Sequence, residues 1–182
     1  PADEAGFVVL QPPVRAYDQQ ITTACGDSPA MDYAAAFYCS GDQRIYYAVP
    51  RSYPLFGESS LEVDIVLAHE FGHAVQGRIG IIGAKYTLGK QAETKREVLE
   101  ISRRVEMQAD CLAGVAVNAL AKASGITEAE REIIRQDRYY RGDDEGTPGD
   151  HGAPESRRRW VSAGLETRRI GTCDTFSVDG AE

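Results

Sequence analysis

No stretch of this 182-residue chain is apolar for long enough to cross a bilayer, and no positively charged region with an apolar core behind it opens the sequence. A helical membrane span within the chain is thereby excluded. The first residue is Pro1 and not methionine, so the expectation is a mature form or an excised piece, and a removed leader or membrane anchor stays open. The missing apolar run therefore decides nothing about targeting. Long basic runs are missing as well. With 28 acidic residues against 20 basic ones the net charge is -8, and nothing tracks a phosphate backbone. No nucleic-acid partner is expected. The densest basic stretch, Arg157-Arg158-Arg159, precedes Trp160 and reads as the solvated face of a helix.

There is no CxxC pair among Cys25, Cys39, Cys111 and Cys173, which argues against a zinc ribbon or a thioredoxin-like redox site. An even, scattered set suggests disulfides. Three pairings are open. The expected one joins Cys25 to Cys39 across a short loop and Cys111 to Cys173, tying the tail to a central helix, in an oxidising compartment. Four reduced, buried thiols in a cytosolic enzyme are the alternative. Internal repeats and low-complexity segments are absent too. At this length and 42% hydrophobic content the expectation is a single domain over residues 1–182, with a core able to hold a rigid site.

What is present divides in two. Before residue 50, the runs Tyr33 to Cys39 and Gln43 to Val49 alternate with a period of two, and Ser40-Gly41-Asp42 supplies turn chemistry for a hairpin between them. Phe7 to Leu10 reads as a further strand, and Pro12-Pro13 interrupts regular structure. Past Ser59 the pattern is helical. One helix starts at Ser59 or Ser60, with Glu62 and Asp64 in its first turns, and stops at Gly80. A second, about Ala92 to Ala123, carries an apolar stripe at Val98, Ile101, Val105, Ala109, Leu112, Ala116 and Leu120. Thr127 with Glu130 forms a capping box for a third helix that ends near Arg141. A Gly/Asp/Pro-rich loop from Gly142 to Gly152 follows, and Pro154 opens a last helix that contains Trp160 and stops near Gly164.

The first helix bears His69-Glu70-Phe71-Gly72-His73. Histidines four apart on a helix share a face, so both imidazoles can reach one ion at ~2.0 to 2.1 Å. Glu70 projects about a hundred degrees round from His69 and is the candidate general base for a metal-activated water. Gly72 suggests close approach of another backbone or of substrate. Two ordinary histidines on an amphipathic helix are the plain alternative. Against it, Ile65, Val66, Ala68, Phe71 and Val75 surround the motif, and the chain has only three histidines in all. A catalytic zinc takes three protein ligands, and Glu106 is the expected third, with Asp110 one turn later placed to accept the outer ring N–H of a ligand histidine. By spacing alone both could equally face solvent, and Cys111 is a rival ligand. His151, in a loop, could donate to an oxyanion or be a plain surface residue; Tyr139 and Tyr140 are weaker candidates for that role.

These residues resemble the bacterial neutral zinc metallopeptidase family and, more distantly, thermolysin-like zincins with a glutamate ligand. The likeness is carried by Ala24-Cys25-Gly26, Phe37-Tyr38-Cys39, Ile45-Tyr46-Tyr47, His69 to Gln76, Glu106 to Gly114, and His151-Gly152 with Glu155, Arg157 and Trp160. Ser40 and Ala153-Pro154 depart from the family pattern. The resemblance implies zinc held by His69, His73 and Glu106, Glu70 as base, Asp110 orienting a ligand histidine, and His151 stabilising the transition state. It also implies a mainly helical α+β, zincin-like domain, with a small N-terminal β-hairpin or sheet packed on the zinc-binding helix.

The expected function is a secreted or membrane-anchored bacterial endopeptidase acting on peptide or protein substrates, the hairpin edge offering a strand along which an extended substrate lies. Two other readings stay open: a non-catalytic, zinc-stabilised extracellular domain that binds proteins, and a zinc amide hydrolase acting on cell-wall material. Natural substrate and oligomeric state are not legible.

Overall fold

A computed structural model of the chain describes residues 11–29, 35–49, 60–144, 146 and 149–180. The Phe7 to Leu10 strand, Tyr33 and the Ser59 cap lie outside them. Arg44–Ala48 (β5) is the central strand of a three-stranded sheet ordered β1-β5-β4, parallel to Val14–Tyr17 (β1) and antiparallel to Ala36–Cys39 (β4). The hairpin formed by β4 and β5 is the one its alternating pattern predicts. Its inward face buries Cys39, Tyr46 and Ala48 with Tyr17 of β1, and Phe37 stacks on Tyr46 across the strands. Beside it Thr22–Thr23 (β2) and Gly26–Asp27 (β3) make a two-stranded ribbon, whose turn residue Cys25 is joined to Cys39.

Five helices follow among the described residues: Ser60–Arg78 (α1), Ile81–Gln91 (α2), Lys95–Ser124 (α3), Glu128–Tyr140 (α4) and Pro154–Thr167 (α5). The fold is α+β and mostly helical, with the sheet on α1: a β-carbon at Gly77 would lie 3.0 Å from the Tyr38 ring of β4. Gly80 ends α1 in the left-handed region, at φ 88°. Helix α2 was not anticipated. It buries no residue and contains Gly83 and Gly89, so neither periodicity nor propensity announces it. The Thr127/Glu130 capping box forms as expected.

Helix α3 is the axis of the helical part, packed by α1 on one side and α5 on the other. Its predicted stripe is buried only in the middle, at Val105, Ala109 and Leu112, while Val98 and Leu120 at the ends face solvent. Main chain meets main chain in both of these packings. A β-carbon at Gly72 would sit 2.7 Å from the Ala109 carbonyl, and one at Gly164 only 2.0 Å from the Cys111 carbonyl. Gly164 therefore serves the crossing of α5 over α3 and does not end the helix, which continues to Thr167 and closes at Arg168 with φ 57°. Cys111 is joined to Cys173 of a 3-10 turn, Ile170–Cys173, so the tail returns to α3. Both disulfides are the expected pairs.

Candidate metal centre

On α1 the His69 and His73 rings lie edge to face, 4.7 Å apart, on the side that meets α3. Each is held from behind at Nδ1. His69 faces Asp110 Oδ1 at 2.8 Å, and His73 faces Gln76 Oε1 at 2.8 Å. Their Nε2 atoms therefore point the other way, to the same carboxylate oxygen: Glu106 Oε2 is 3.2 Å from His69 Nε2 and 3.4 Å from His73 Nε2. Bonds of ~2.0 to 2.1 Å at tetrahedral angles set donor atoms about 3.3 Å apart. The two histidines and the glutamate thus fit one zinc ion with little movement. Gly72 is what allows the approach, since the close passage of α1 over Ala109 brings the histidine pair against the Glu106 turn of α3.

Charge at the centre follows from this geometry. Burial alone would lower the pKa of the His73 imidazole, but the Glu106 carboxylate beside it, with Glu70 and Gln76, raises it to about 9. Burial in turn works against ionised Glu106, yet His73 and His69 hold its carboxyl well below the usual carboxylate range. Glu70 is buried beside the pair, close enough for its charge to act on His73.

Beneath His69, Asp110 is fully buried and gripped by two arginines, Arg157 from α5 and Arg138 from α4. Burial opposes its ionisation, but Arg157, His69 and Arg138 keep its carboxyl far below the ordinary range. Arg157 is thus no solvated residue. It is 2% exposed, while Arg159, two positions on, is exposed. A charge run does not tell which of its members faces inward.

His151 is half exposed, with Nδ1 2.9 Å from Asp150 Oδ1. Its loop is pinned to α3: Asp143 accepts from the main-chain N–H groups of His151 and Gly152, Arg103 donates to the Gly149 carbonyl at 3.0 Å, and Gly152 packs on Met107. The hydrogen bond to Asp150 raises the pKa of His151, burial opposes it, and Glu106 lies close enough to raise it further. The loop thus lies against the Arg103 to Met107 stretch of α3, the turn that carries Glu106. Tyr139 gives its hydroxyl to Glu155 at 3.4 Å, and Tyr140 points to solvent. Cys111 is consumed by its disulfide and offers no ligand.

Sequence reasoning assigned no role to Gln76, Gln108 or Arg138. Gln76 stands three residues after His73, a spacing that puts the two side chains together on a helix, and that signal was available. Gln108 and Arg138 reach the site only through tertiary packing.

The family described as putative neutral zinc metallopeptidase matches residues 4–176. The chain is 31% identical, over 92% of its length, to the uncharacterized protein Rv2575 of Mycobacterium tuberculosis. It is 27% identical, over 96% of its length, to the uncharacterized protein YpfJ of Escherichia coli. It spans 63% and 64% of the length of those two relatives. No solved structure matches it.

Proposed function

The chain belongs to the putative neutral zinc metallopeptidase family, and from that premise we propose that it is an endopeptidase whose zinc is held by His69, His73 and Glu106. The observation that carries the reading is the convergence of both Nε2 atoms on one oxygen of Glu106, with Glu70 buried alongside. Bound there, zinc would supply Lewis acidity, lowering the pKa of water towards ~7 and polarising the scissile carbonyl.

The chain's own groups do the rest. Glu70 accepts the proton of the attacking water and returns it to the amine nitrogen as the peptide C–N bond breaks. His151, on a loop packed against Arg103 and Met107 of α3, donates to the carbonyl oxygen as negative charge develops on it. Asp110 fixes the ring plane of His69. Strand β4, outermost among the described strands of the sheet and packed on α1, offers an edge along which an extended peptide lies.

The two disulfides accord with an extracellular or cell-surface location, and the relatives named are bacterial. Among the described residues no helix is long and apolar enough to cross a membrane. Glu70→Gln tests the reading: it removes the base and leaves the donor atoms in place, so zinc content should match wild type while peptide cleavage disappears. A Glu70→Gln protein that cleaves at the wild-type rate overturns it.

A further inference from the structure

Two main-chain carbonyls behind the histidine pair decide which way every group in front of them must face. A carbonyl oxygen can only accept a hydrogen bond. The Cys173 carbonyl accepts from Gln108 Nε2 at 2.9 Å, and the Val105 carbonyl accepts from Gln76 Nε2 at 2.8 Å. With its nitrogen committed to the tail, Gln108 turns Oε1 towards Gln76 and accepts there at 2.9 Å. Gln76 thus gives away both amide protons, and only its Oε1 is left to face His73 Nδ1. An amide's orientation is ambiguous in isolation, but the two carbonyls remove the ambiguity here.

The consequence reaches the metal side of the ring. An acceptor at Nδ1 requires the proton on that nitrogen, so the lone pair of the neutral imidazole lies on Nε2, the atom that faces Glu106. Water cannot easily replace either amide, because Gln76 is wholly buried and Gln108 is 8% exposed. The two histidines are therefore oriented by different chemistry. His69 leans on a carboxylate between arginines, and His73 leans on two neutral amides that end on a residue a hundred positions later in the chain.

We propose that Gln76 and Gln108 are positioning residues of the metal centre, and that the tail at Cys173, fixed to α3 by its bond to Cys111, selects the nitrogen His73 presents to the metal. The inference rests on the reading of His69, His73 and Glu106 as zinc ligands. Losing such support behind a ligand histidine costs about 10- to 100-fold in metal affinity.

The test is zinc affinity by competition with a chromophoric chelator, for wild type, Gln108→Met and Thr175→Val. Thr175 ties the same tail to the Arg104 carbonyl at 2.7 Å without touching the amides. Gln108→Met should bind zinc about 10- to 100-fold more weakly; Thr175→Val should keep wild-type affinity even as its melting temperature falls. In the zinc-loaded protein the His73 Nδ1 proton should be protected from exchange by nitrogen-15 NMR in wild type and Thr175→Val, and lose protection in Gln108→Met. Should Gln108→Met not fold, Gln108→Asn makes the same comparison, since an amide one methylene shorter cannot reach Gln76 and the Cys173 carbonyl at once. Wild-type zinc affinity in the Gln108 variant, or an equal loss in Thr175→Val, overturns this proposal and leaves the peptidase reading standing. A wild-type chain that takes up no zinc overturns both.

Discussion

Arg157 grips both carboxylate oxygens of Asp110, Nε to Oδ2 at 2.7 Å and Nη2 to Oδ1 at 3.0 Å, and a third N–H reaches the Arg141 carbonyl. Asp110 has no exposed surface, so taking Arg157 away leaves a buried charge with the His69 ring and the longer 3.3 Å contact from Arg138, both on Oδ1, and nothing on Oδ2 among the described hydrogen bonds. Removing one partner of a buried pair costs about 3–5 kcal/mol. Arg157→Met is expected to lose stability on that scale in urea unfolding. Arg157→Lys should recover part of it, because the charge returns without the fork. A loss no larger than that of an ordinary surface substitution would show that the grip is incidental.

Zinc should stabilise the fold through three donors at once. At a free concentration a hundred times the dissociation constant, a ligand that binds only the folded state adds about 2.7 kcal/mol. Glu106→Ala keeps both histidines and removes the oxygen on which their Nε2 atoms converge. Its melting temperature, with zinc and with a chelator, should differ far less than that of wild type at the same zinc concentration. An undiminished zinc increment in Glu106→Ala would mean that the third ligand lies elsewhere.

Glycines on two helices give opposite signs for the same substitution. At Gly83 a β-carbon meets nothing within 4 Å, so Gly83→Ala should stabilise α2 by about 0.5–1 kcal/mol. At Gly164 the same carbon would sit 2.0 Å from the Cys111 carbonyl, and Gly164→Ala should destabilise by about 1–3 kcal/mol despite alanine's better helix propensity. Thermal denaturation of the two variants settles it, and like signs would contradict the backbone crossing.

Asp137 supplies the pH dependence. Burial works against its ionisation, but Arg138 and Arg141 hold its carboxyl below the usual range. A depressed folded-state pKa gives stability that is fully present above the unfolded value of about 3.9 and is lost as the pH falls through the folded one. The stability difference between metal-free wild type and Asp137→Asn should therefore be constant from pH 7 down to roughly 5 and shrink below about 4. A difference that holds unchanged to about pH 3 would rule out the linkage.

Much of this arrangement was legible because its signals are local. The His69/His73 pair, Asp110 one turn after Glu106, the Thr127 box and the β4–β5 hairpin each rest on a spacing within one element or one turn. What escaped depends on contacts distant in sequence. Strand β1 follows two prolines, exposes Val14 and pairs in parallel with a strand some thirty residues later, so no local pattern marks it. Arg157 looked solvated because a run of three arginines says nothing about which one turns inward. Gly164 looked like a stop because a glycine that ends a helix and a glycine that lets two helices touch are the same letter.

The Gly72 crossing has a consequence for how the proposed centre could adapt to an ion. Where side chains separate two helices, the gap can widen or narrow by rotamer changes; where main chain rests on main chain, it cannot. The separation of the two backbones that carry the histidine pair and Glu106 is thus gauged at Ala109. If the centre holds zinc as proposed, an ion whose ligands stand at 2.3–2.6 Å, as calcium's do, would have to be met by movement of the histidine and glutamate side chains alone, and by two nitrogen donors where calcium takes oxygen. The separation of the helices that bear the proposed ligands is in this way set by a position that has no side chain.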